Sequence, residues 1–112
     1  MGFALSSMDV PVTKTSSALL CLSKDVVEEE PESACIRCGR CADVCPSHLV
    51  PQKLMEACEQ FDLEQFEKLH GMECYECGSC TYSCPAKRPL TQAMKQARKA
   101  VMDNRRRQQA AK

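Results

Sequence analysis

Apolar residues recur at helical spacing over three stretches in the second half of the chain. The first stretch, PQKLMEACEQ, covers residues 51–60 and places Leu54, Met55 and Cys58 on one face of a helix. Pro51 suits the first position of that helix, because its fixed φ is helical and the N–H that it lacks would have no intrahelical partner. The pattern therefore predicts a helix from Pro51.

A second helix is predicted to follow from capping signals. Asp62 is a predicted N-cap with Gln65 three residues later, in the manner of a capping box, and Phe61 and Phe66 stand at the two hydrophobic-staple positions around it. We expect Gly71 to end this helix. Its inner apolar stripe comprises Leu63, Phe66 and Leu69.

The third and longest helix is predicted from Pro89. Its inner face carries apolar residues at helical spacing, and we expect this stripe to pack against the rest of the module. The stripe comprises Leu90, Met94, Ala97 and Val101. Beyond Asp103 we expect the chain to fray.

The N-terminal part has a different pattern. Residues 10–15 and 18–22 read as two short strands, which would be marginal without neighbours. The predicted organisation is the end of an upstream β region at 1–23, an acidic linker at 24–33, a domain at 34–103 and a basic tail at 104–112. The predicted fold class is mainly α with a short β remnant at the N-terminus.

Composition limits how this domain is stabilised. The 112 residues contain no Trp, three Phe and two Tyr, so an ordinary apolar core would be thin.

The 15 basic and 15 acidic residues cancel, so nucleic acid is not a predicted partner. No signal peptide or apolar stretch long enough to span a bilayer is evident, so we expect a cytosolic setting, where clustered cysteines usually bind metal.

Eight of the ten cysteines form two copies of one motif, C-x2-C-x2-C-x3-C-P. In such a run, three cysteines bind one iron–sulfur cluster and the fourth binds the other cluster. Two [4Fe–4S] clusters are thus predicted, one on Cys35, Cys38, Cys41 and Cys84, the other on Cys74, Cys77, Cys80 and Cys45. Gly39 and Gly78 occupy matching loop positions where unusual backbone angles are expected, and Pro46 and Pro85 turn the chain away afterwards.

Other uses of the cysteines have less support. A zinc site needs four ligands in a closed tetrahedron, which gives the third cysteine of each run no role. A disulfide framework does not suit a cytosolic chain. Cys21 and Cys58 lie outside the motifs and are predicted to be small buried residues.

Three stretches resemble, in order, the C-terminal part of the C subunit of the Rnf complex: GFALSSMDVPVTKTSSALLCL, ACIRCGRCADVCPSHLVPQKL and MECYECGSCTYSCPAKRPLTQAMKQARK. The double motif with its helical insert also resembles α-helical ferredoxin modules of multi-subunit redox complexes. The Rnf resemblance implies electron transfer in a membrane-bound, ion-translocating ferredoxin:NAD oxidoreductase, with the family's cluster ligands falling on the eight motif cysteines.

The resemblance also implies partners and a location. Family members carry a long upstream region that resembles a flavin- and NADH-binding subunit, so the chain is expected to be a C-terminal fragment or half of a split subunit, and no enzyme by itself. Its expected partners are that region and the other subunits, at the cytoplasmic face of the membrane, with only indirect membrane contact. A free ferredoxin-like carrier and a zinc-stabilised interaction domain are the alternative functions.

Overall fold

The computed structural model describes residues 5, 7–21, 23–24 and 31–111. The described part is mainly helical and contains no strand, which confirms the predicted class for the cysteine-bearing domain. Its elements are α1 (Arg40–Asp43), α2 (Pro51–Glu59), α3 (Leu63–Lys68), a 3₁₀ turn (Gly71–Glu73), α4 (Ser79–Tyr82) and α5 (Leu90–Ala110). Most of the predicted acidic linker, residues 25–30, lies outside the described residues.

The predicted N-terminal β remnant is wrong for the residues that the structure describes. Residues 10–15 contain a turn instead of a strand, in which the Ser16 N–H donates to the Thr13 carbonyl at 2.9 Å and the Thr13 N–H donates to Ser16 Oγ at 3.2 Å. Val12 and Leu20 are exposed. A strand is stabilised by a paired neighbour, and no neighbouring strand occurs among the described residues, so the apolar alternation has nothing to pair with.

Helix α2 begins at Pro51 as predicted and contributes the centre of the core. Leu54 is fully buried, and Met55 and Ala57 are nearly so. This face packs against α5, whose buried residues include Met94. The predicted inner face of α2 is confirmed, with Cys58 partly buried at its margin.

The predicted hydrophobic staple between Phe61 and Phe66 is wrong. Phe61 is 88% exposed and has φ 54, in the left-handed region. Its N–H donates to the Cys58 carbonyl at 3.2 Å, and the Asp62 N–H donates to the Ala57 carbonyl at 3.0 Å. These two bonds are the Schellman pattern that ends a helix. Phe61 therefore occupies the terminating position of α2, and its ring turns away from the core.

Helix α3 begins where the capping signals predict. The Gln65 N–H donates to Asp62 Oδ1 at 2.9 Å. Phe66 is fully buried, but Gly71 does not end the helix through a left-handed conformation: His70 takes that conformation, with φ 60. Gly71 instead lies directly against the Phe66 ring, so the glycine is needed for close packing.

Helix α5 buries the predicted stripe and is longer than expected. Leu90, Met94 and Val101 are almost fully buried. The expectation of fraying beyond Asp103 is wrong, because the helix continues to Ala110 and Arg105 Nη2 lies 3.3 Å from the Glu67 carboxylate on α3. In the described part of the chain, no helix is both long and apolar enough to cross a membrane.

Candidate iron–sulfur sites

The two cysteine motifs adopt the same backbone conformation, 39 residues apart. Gly39 and Gly78 have φ 80 and 81, which confirms the unusual angles expected at these positions. Each glycine precedes a four-residue helix, α1 or α4. Two further pairs of equivalent positions have left-handed backbone angles that the sequence did not predict. They are Arg37 and Glu76, both with φ 55, and His48 and Lys87, both with φ 53.

The first three cysteines of one motif share a cavity with the last cysteine of the other motif. Cys35, Cys38, Cys41 and Cys84 line the first cavity, together with Met55 from α2. The atom-free space here, including its open mouth, is about 420 Å³. The four sulfurs therefore border one shared, open-mouthed space.

The second cavity has the same construction. Cys74, Cys77 and Cys80 line it together with Cys45 from the first motif and Met94 from α5. Its atom-free space, with its mouth, is about 310 Å³. The structure thus brings the eight predicted cysteines together in two groups of four that match the two predicted ligand sets.

Two short helices produce this exchange. Cys45 follows α1 and Cys84 follows α4, and these helices pack against each other. The Cys45 N–H donates to the Ala42 carbonyl at 3.2 Å, and the Cys84 N–H donates to the Thr81 carbonyl at 3.3 Å. Each helix therefore ends with a cysteine at the opposite cavity, followed by a proline at which the chain turns.

Backbone N–H groups point at several of the sulfurs. The Arg37 N–H donates to Cys35 Sγ and the Glu76 N–H to Cys74 Sγ, each at 3.4 Å. The Leu49 N–H donates to Cys45 Sγ at the same distance. Thiolates are the ligands that hold iron–sulfur clusters, and hydrogen bonds to sulfur help to set cluster potentials. The donor set and its surroundings therefore fit a [4Fe–4S] cluster in each cavity.

The thiols differ in how easily they ionise. Burial raises the pKa of Cys74, and it also raises the pKa of Cys41. The pKa of Cys77 is lowered, because the Ser79 side chain and backbone N–H hydrogen-bond to its sulfur. Since a thiolate is the metal ligand, the surroundings of Cys77 favour the ligating form, whereas burial disfavours it at Cys74.

Ion pairs lie beside both cavities. Arg88, which lines the first cavity, pairs with Glu59 from α2. Glu76, which lines the second, pairs with Arg98 from α5, and Lys95 Nζ lies 3.7 Å from its other carboxylate oxygen. These pairs fix the walls of the cavities to the two long helices.

The two cysteines outside the motifs are not brought to either cavity. Cys58 is partly buried, and burial raises its pKa to about 11. Cys21 is exposed, so the prediction that it is buried is wrong. All ten cysteines are unpaired thiols. Among the described residues, no three histidine, cysteine or acidic side chains converge on a position for a single metal ion.

Comparison with known proteins defines the class first. A 4Fe-4S dicluster domain matches residues 34–88, which contain all eight motif cysteines. With the two four-cysteine cavities, this makes the chain an iron–sulfur protein that binds two [4Fe–4S] clusters.

The relatives define the family. The C subunit of the Na(+)-translocating ferredoxin:NAD(+) oxidoreductase complex of Acetobacterium woodii is 39% identical over 106 residues, which is 95% of this chain and 24% of that protein. The C subunit of the proton-translocating ferredoxin:NAD(+) oxidoreductase complex of Clostridium ljungdahlii is 54% identical over 54 residues, 48% of this chain and 12% of that protein. The C subunit of the ion-translocating oxidoreductase complex of Yersinia enterocolitica is 51% identical over 55 residues, 48% of this chain and 8% of that protein.

The chain is a homologue of the C subunits of Rnf-type ion-translocating oxidoreductase complexes, and its residues 34–88 match a 4Fe-4S dicluster domain. It spans about a quarter or less of the length of these three relatives.

Proposed function

We propose that this chain relays single electrons through two [4Fe–4S] clusters within a membrane-associated ferredoxin:NAD oxidoreductase complex of the Rnf type. The observation that carries the proposal is the pair of equivalent cavities, each lined by three cysteines of one motif and one of the other. A [4Fe–4S] cluster, when bound, accepts and releases one electron.

The lining of the cavities supports the proposed ligand sets. In the first cavity, Cys84 completes the set that begins with Cys35; in the second, Cys45 completes the set that begins with Cys74. Because each motif contributes to both cavities, neither motif can move without disturbing both sites. This exchange holds the two sites at a fixed separation, which suits a two-step electron relay.

Residues of the chain control what surrounds each site. The backbone N–H groups of Arg37 and Glu76 compensate negative charge on the sulfurs, and Met55 and Met94 exclude water from the inner walls. Chemistry on NAD requires a hydride to be taken up and divided into single electrons, and this belongs to a flavin or comparable cofactor. We assign that step to partner proteins and the relay to this chain.

The partners and location are part of the proposal. We place the chain at the cytoplasmic face of the membrane, held there by the other subunits. Support comes from the names of the relatives, which are subunits of ion-translocating complexes. The exposed stretch at residues 7–21 and the arginines at 105–107 on α5 are the surfaces that we expect to contact them.

Four single substitutions test the exchanged ligands. Cys38→Ala should remove the cluster of the first cavity and Cys77→Ala that of the second. Cys45→Ala should then reproduce the electron paramagnetic resonance spectrum of Cys77→Ala, although Cys45 belongs to the first motif. Cys84→Ala should likewise reproduce that of Cys38→Ala.

Cys58→Ala is the matched control and should retain two clusters, with about eight iron and eight sulfide per chain. If Cys45→Ala instead has the spectrum of Cys38→Ala, the proposed ligand sets are wrong. Zinc in place of iron and sulfide in anaerobically purified protein would refute the relay function itself.

An activity assay tests whether this chain relays electrons while partner proteins carry out the chemistry on NAD. The purified holo-protein should accept electrons from a low-potential donor and pass them to a dye, but should not oxidise NADH. Sustained NADH-dependent dye reduction by this chain alone would contradict the proposal. Rapid exchange with free ferredoxins, together with failure to bind the other subunits, would indicate a diffusible carrier instead.

A further inference from the structure

Thr91 is a polar residue buried within the apolar core. It lies in the first turn of α5, is only 8% exposed and lines the second cavity. No other polar or charged residue in the described part of the chain is buried to this degree. Burying a hydroxyl costs free energy unless it is hydrogen-bonded, so its contacts indicate what it does.

The Thr91 hydroxyl lies between another hydroxyl and a cysteine sulfur. Its Oγ1 is 2.8 Å from Thr81 Oγ1 and 3.7 Å from Cys80 Sγ. The backbone N–H of Thr91 also donates to Thr81 Oγ1, at 2.9 Å. Thr81 lies on α4, so these contacts join α4, α5 and a cysteine of the second cavity.

The chemistry of a thiolate fixes the direction of this chain of hydrogen bonds. A thiolate sulfur has no proton and can only accept. The Thr91 hydroxyl must then donate to Cys80 Sγ, which leaves its oxygen to accept from the Thr81 hydroxyl. Thr81 in turn accepts the Thr91 N–H. Each donor in the series polarises the next and strengthens the last bond, the one to sulfur.

The first cavity has no such series of hydroxyls, although the backbone N–H of Gln52 hydrogen-bonds to Cys41. The residues 39 positions earlier than Thr81 and Thr91 are Ala42 and Gln52, and the equivalent of Cys80 is Cys41. Ala42 carries no hydroxyl, and the Gln52 side-chain amide donates to Glu56 at 3.2 Å. The hydroxyl series is therefore a feature of the second site and not of the shared repeat.

We propose that Thr91, oriented by Thr81, raises the reduction potential of the cluster in the second cavity by donating a hydrogen bond to Cys80 Sγ. Reduction adds negative charge to the cluster and its sulfurs, so a donor stabilises the reduced state more than the oxidised one. The inference rests on the proposed function in that it requires a cluster on Cys80. Thr91 is a positioning and tuning residue, and it does not take part in catalysis.

A purely structural role for the same residues has to be separated from tuning. Thr81 also satisfies a free N–H at the start of α5, where the N-cap Pro89 supplies no side-chain acceptor. Thr91→Val keeps that backbone bond and the side-chain volume but removes the hydroxyl. Thr91→Ser restores the hydroxyl, and Thr81→Ala removes the acceptor and the polarising donor together.

The test is a redox titration of the intact holo-protein by film voltammetry. Cys77→Ser identifies which of the two one-electron waves belongs to the second cavity. We expect Thr91→Val to shift that wave to more negative potential by about 59 mV. This equals about a tenfold lower ratio of reduced to oxidised cluster at a given potential. The first-cavity wave should not move, and Thr91→Ser should restore the original value. Gln52→Val, the matched position, should leave the second wave unchanged.

Iron and acid-labile sulfide content separates the possible failures. A full complement of clusters with an unmoved second wave in Thr91→Val would overturn the inference and leave the proposed function intact. A shift that Thr91→Ser does not reverse would show that packing rather than the hydroxyl is responsible, and would overturn it equally. Absence of the clusters from the unmodified protein would refute the proposed function and this inference together.

Discussion

Substituting Gly71 by alanine should damage the second cluster from outside its cavity. A Cβ built at this position lies 2.6 Å from Phe66 Cε2 and closer still to Cζ, whereas ordinary van der Waals contacts begin at about 3.4 Å. Either the ring or the turn must move by about 1 Å. Phe66 is fully buried and cannot yield readily. We therefore expect the 3₁₀ turn Gly71–Glu73 to be displaced, and not the ring.

That turn leads directly to a predicted ligand. The Cys74 N–H donates to the Gly71 carbonyl at 3.3 Å, so a displaced turn moves the first cysteine of the second cavity. Overpacking of this kind costs about 1 to 3 kcal/mol, and we expect the upper end because the ring has no free space. The second cluster should be lost at lower denaturant concentration than in the unmodified protein.

The assay is an anaerobic guanidinium titration followed by cluster absorbance and helical circular dichroism. Phe66→Leu removes the obstructing ring. The free energy of unfolding lost in the Gly71→Ala, Phe66→Leu double variant should therefore be smaller than the summed losses of the two single variants, by at least about 1 kcal/mol. Gly39→Ala is the control for backbone strain, since no protein atom lies within 4 Å of its Cβ and φ +80 disfavours a side chain. Its effect should add independently to that of Phe66→Leu. Additive effects for the Gly71 and Phe66 substitutions would refute the steric reasoning.

Three further predictions concern folding and the remaining thiols. Removing iron anaerobically should unfold most of residues 35–85, because the cysteines line cavities that border a thin core; native helix content and a cooperative melt in the apo-protein would contradict this. Burial disfavours the Cys58 thiolate and raises its pKa to about 11 from 9.0, so at pH 8 iodoacetamide should label it about a hundredfold more slowly than an ordinary thiol, with a tenfold gain per pH unit up to about pH 11. Mass spectrometry checks this, with exposed Cys21 as the reference, and equal rates would contradict it. Phe61→Gly should stabilise the protein by about 0.5 kcal/mol, because glycine adopts φ 54 without strain; a lower unfolding midpoint would contradict this.

The helices and the candidate sites could be predicted from sequence because their signals are local. Pro51 at the start of α2 and Asp62 at the cap of α3 each act within one helical turn. The spacing of the cysteines predicts which of them share a cluster, and the structure brings the same groups of four together. Local chemistry was sufficient for these features.

The errors arose where a residue's role depends on a distant contact or on backbone angle. Phe61 has the right position for a staple, yet the Schellman ending of α2 turns its ring into solvent. Gly71 looks like a helix terminator, but it is required by a ring packed against it. The N-terminal alternation indicates strands, although pairing decides whether a strand forms. α5 continues past Asp103, supported by the contact between Arg105 and Glu67, which no helical pattern reveals.

The internal repeat limits where a difference between the two clusters can come from. Equivalent backbone N–H groups donate to Cys35 and Cys74 at the same distance, so these bonds affect both sites alike.

Arg88 and Glu76, which have opposite charges and lie beside different cavities, each have an ion-pair partner. Arg88 beside the first cavity is paired with Glu59, and Glu76 beside the second is paired with Arg98 and lies 3.7 Å from Lys95 Nζ, so neither acts on its cluster as an isolated charge. Their effects on potential are correspondingly reduced. Among the neutral groups, one difference is a hydroxyl: Thr91 Oγ1 lies against Cys80 Sγ in the second cavity, whereas the backbone N–H of Gln52 hydrogen-bonds to Cys41 in the first. The buried hydroxyl would then help to separate the potentials of two sites built from one repeated motif, so that an electron shared between the clusters resides more often at the second cavity.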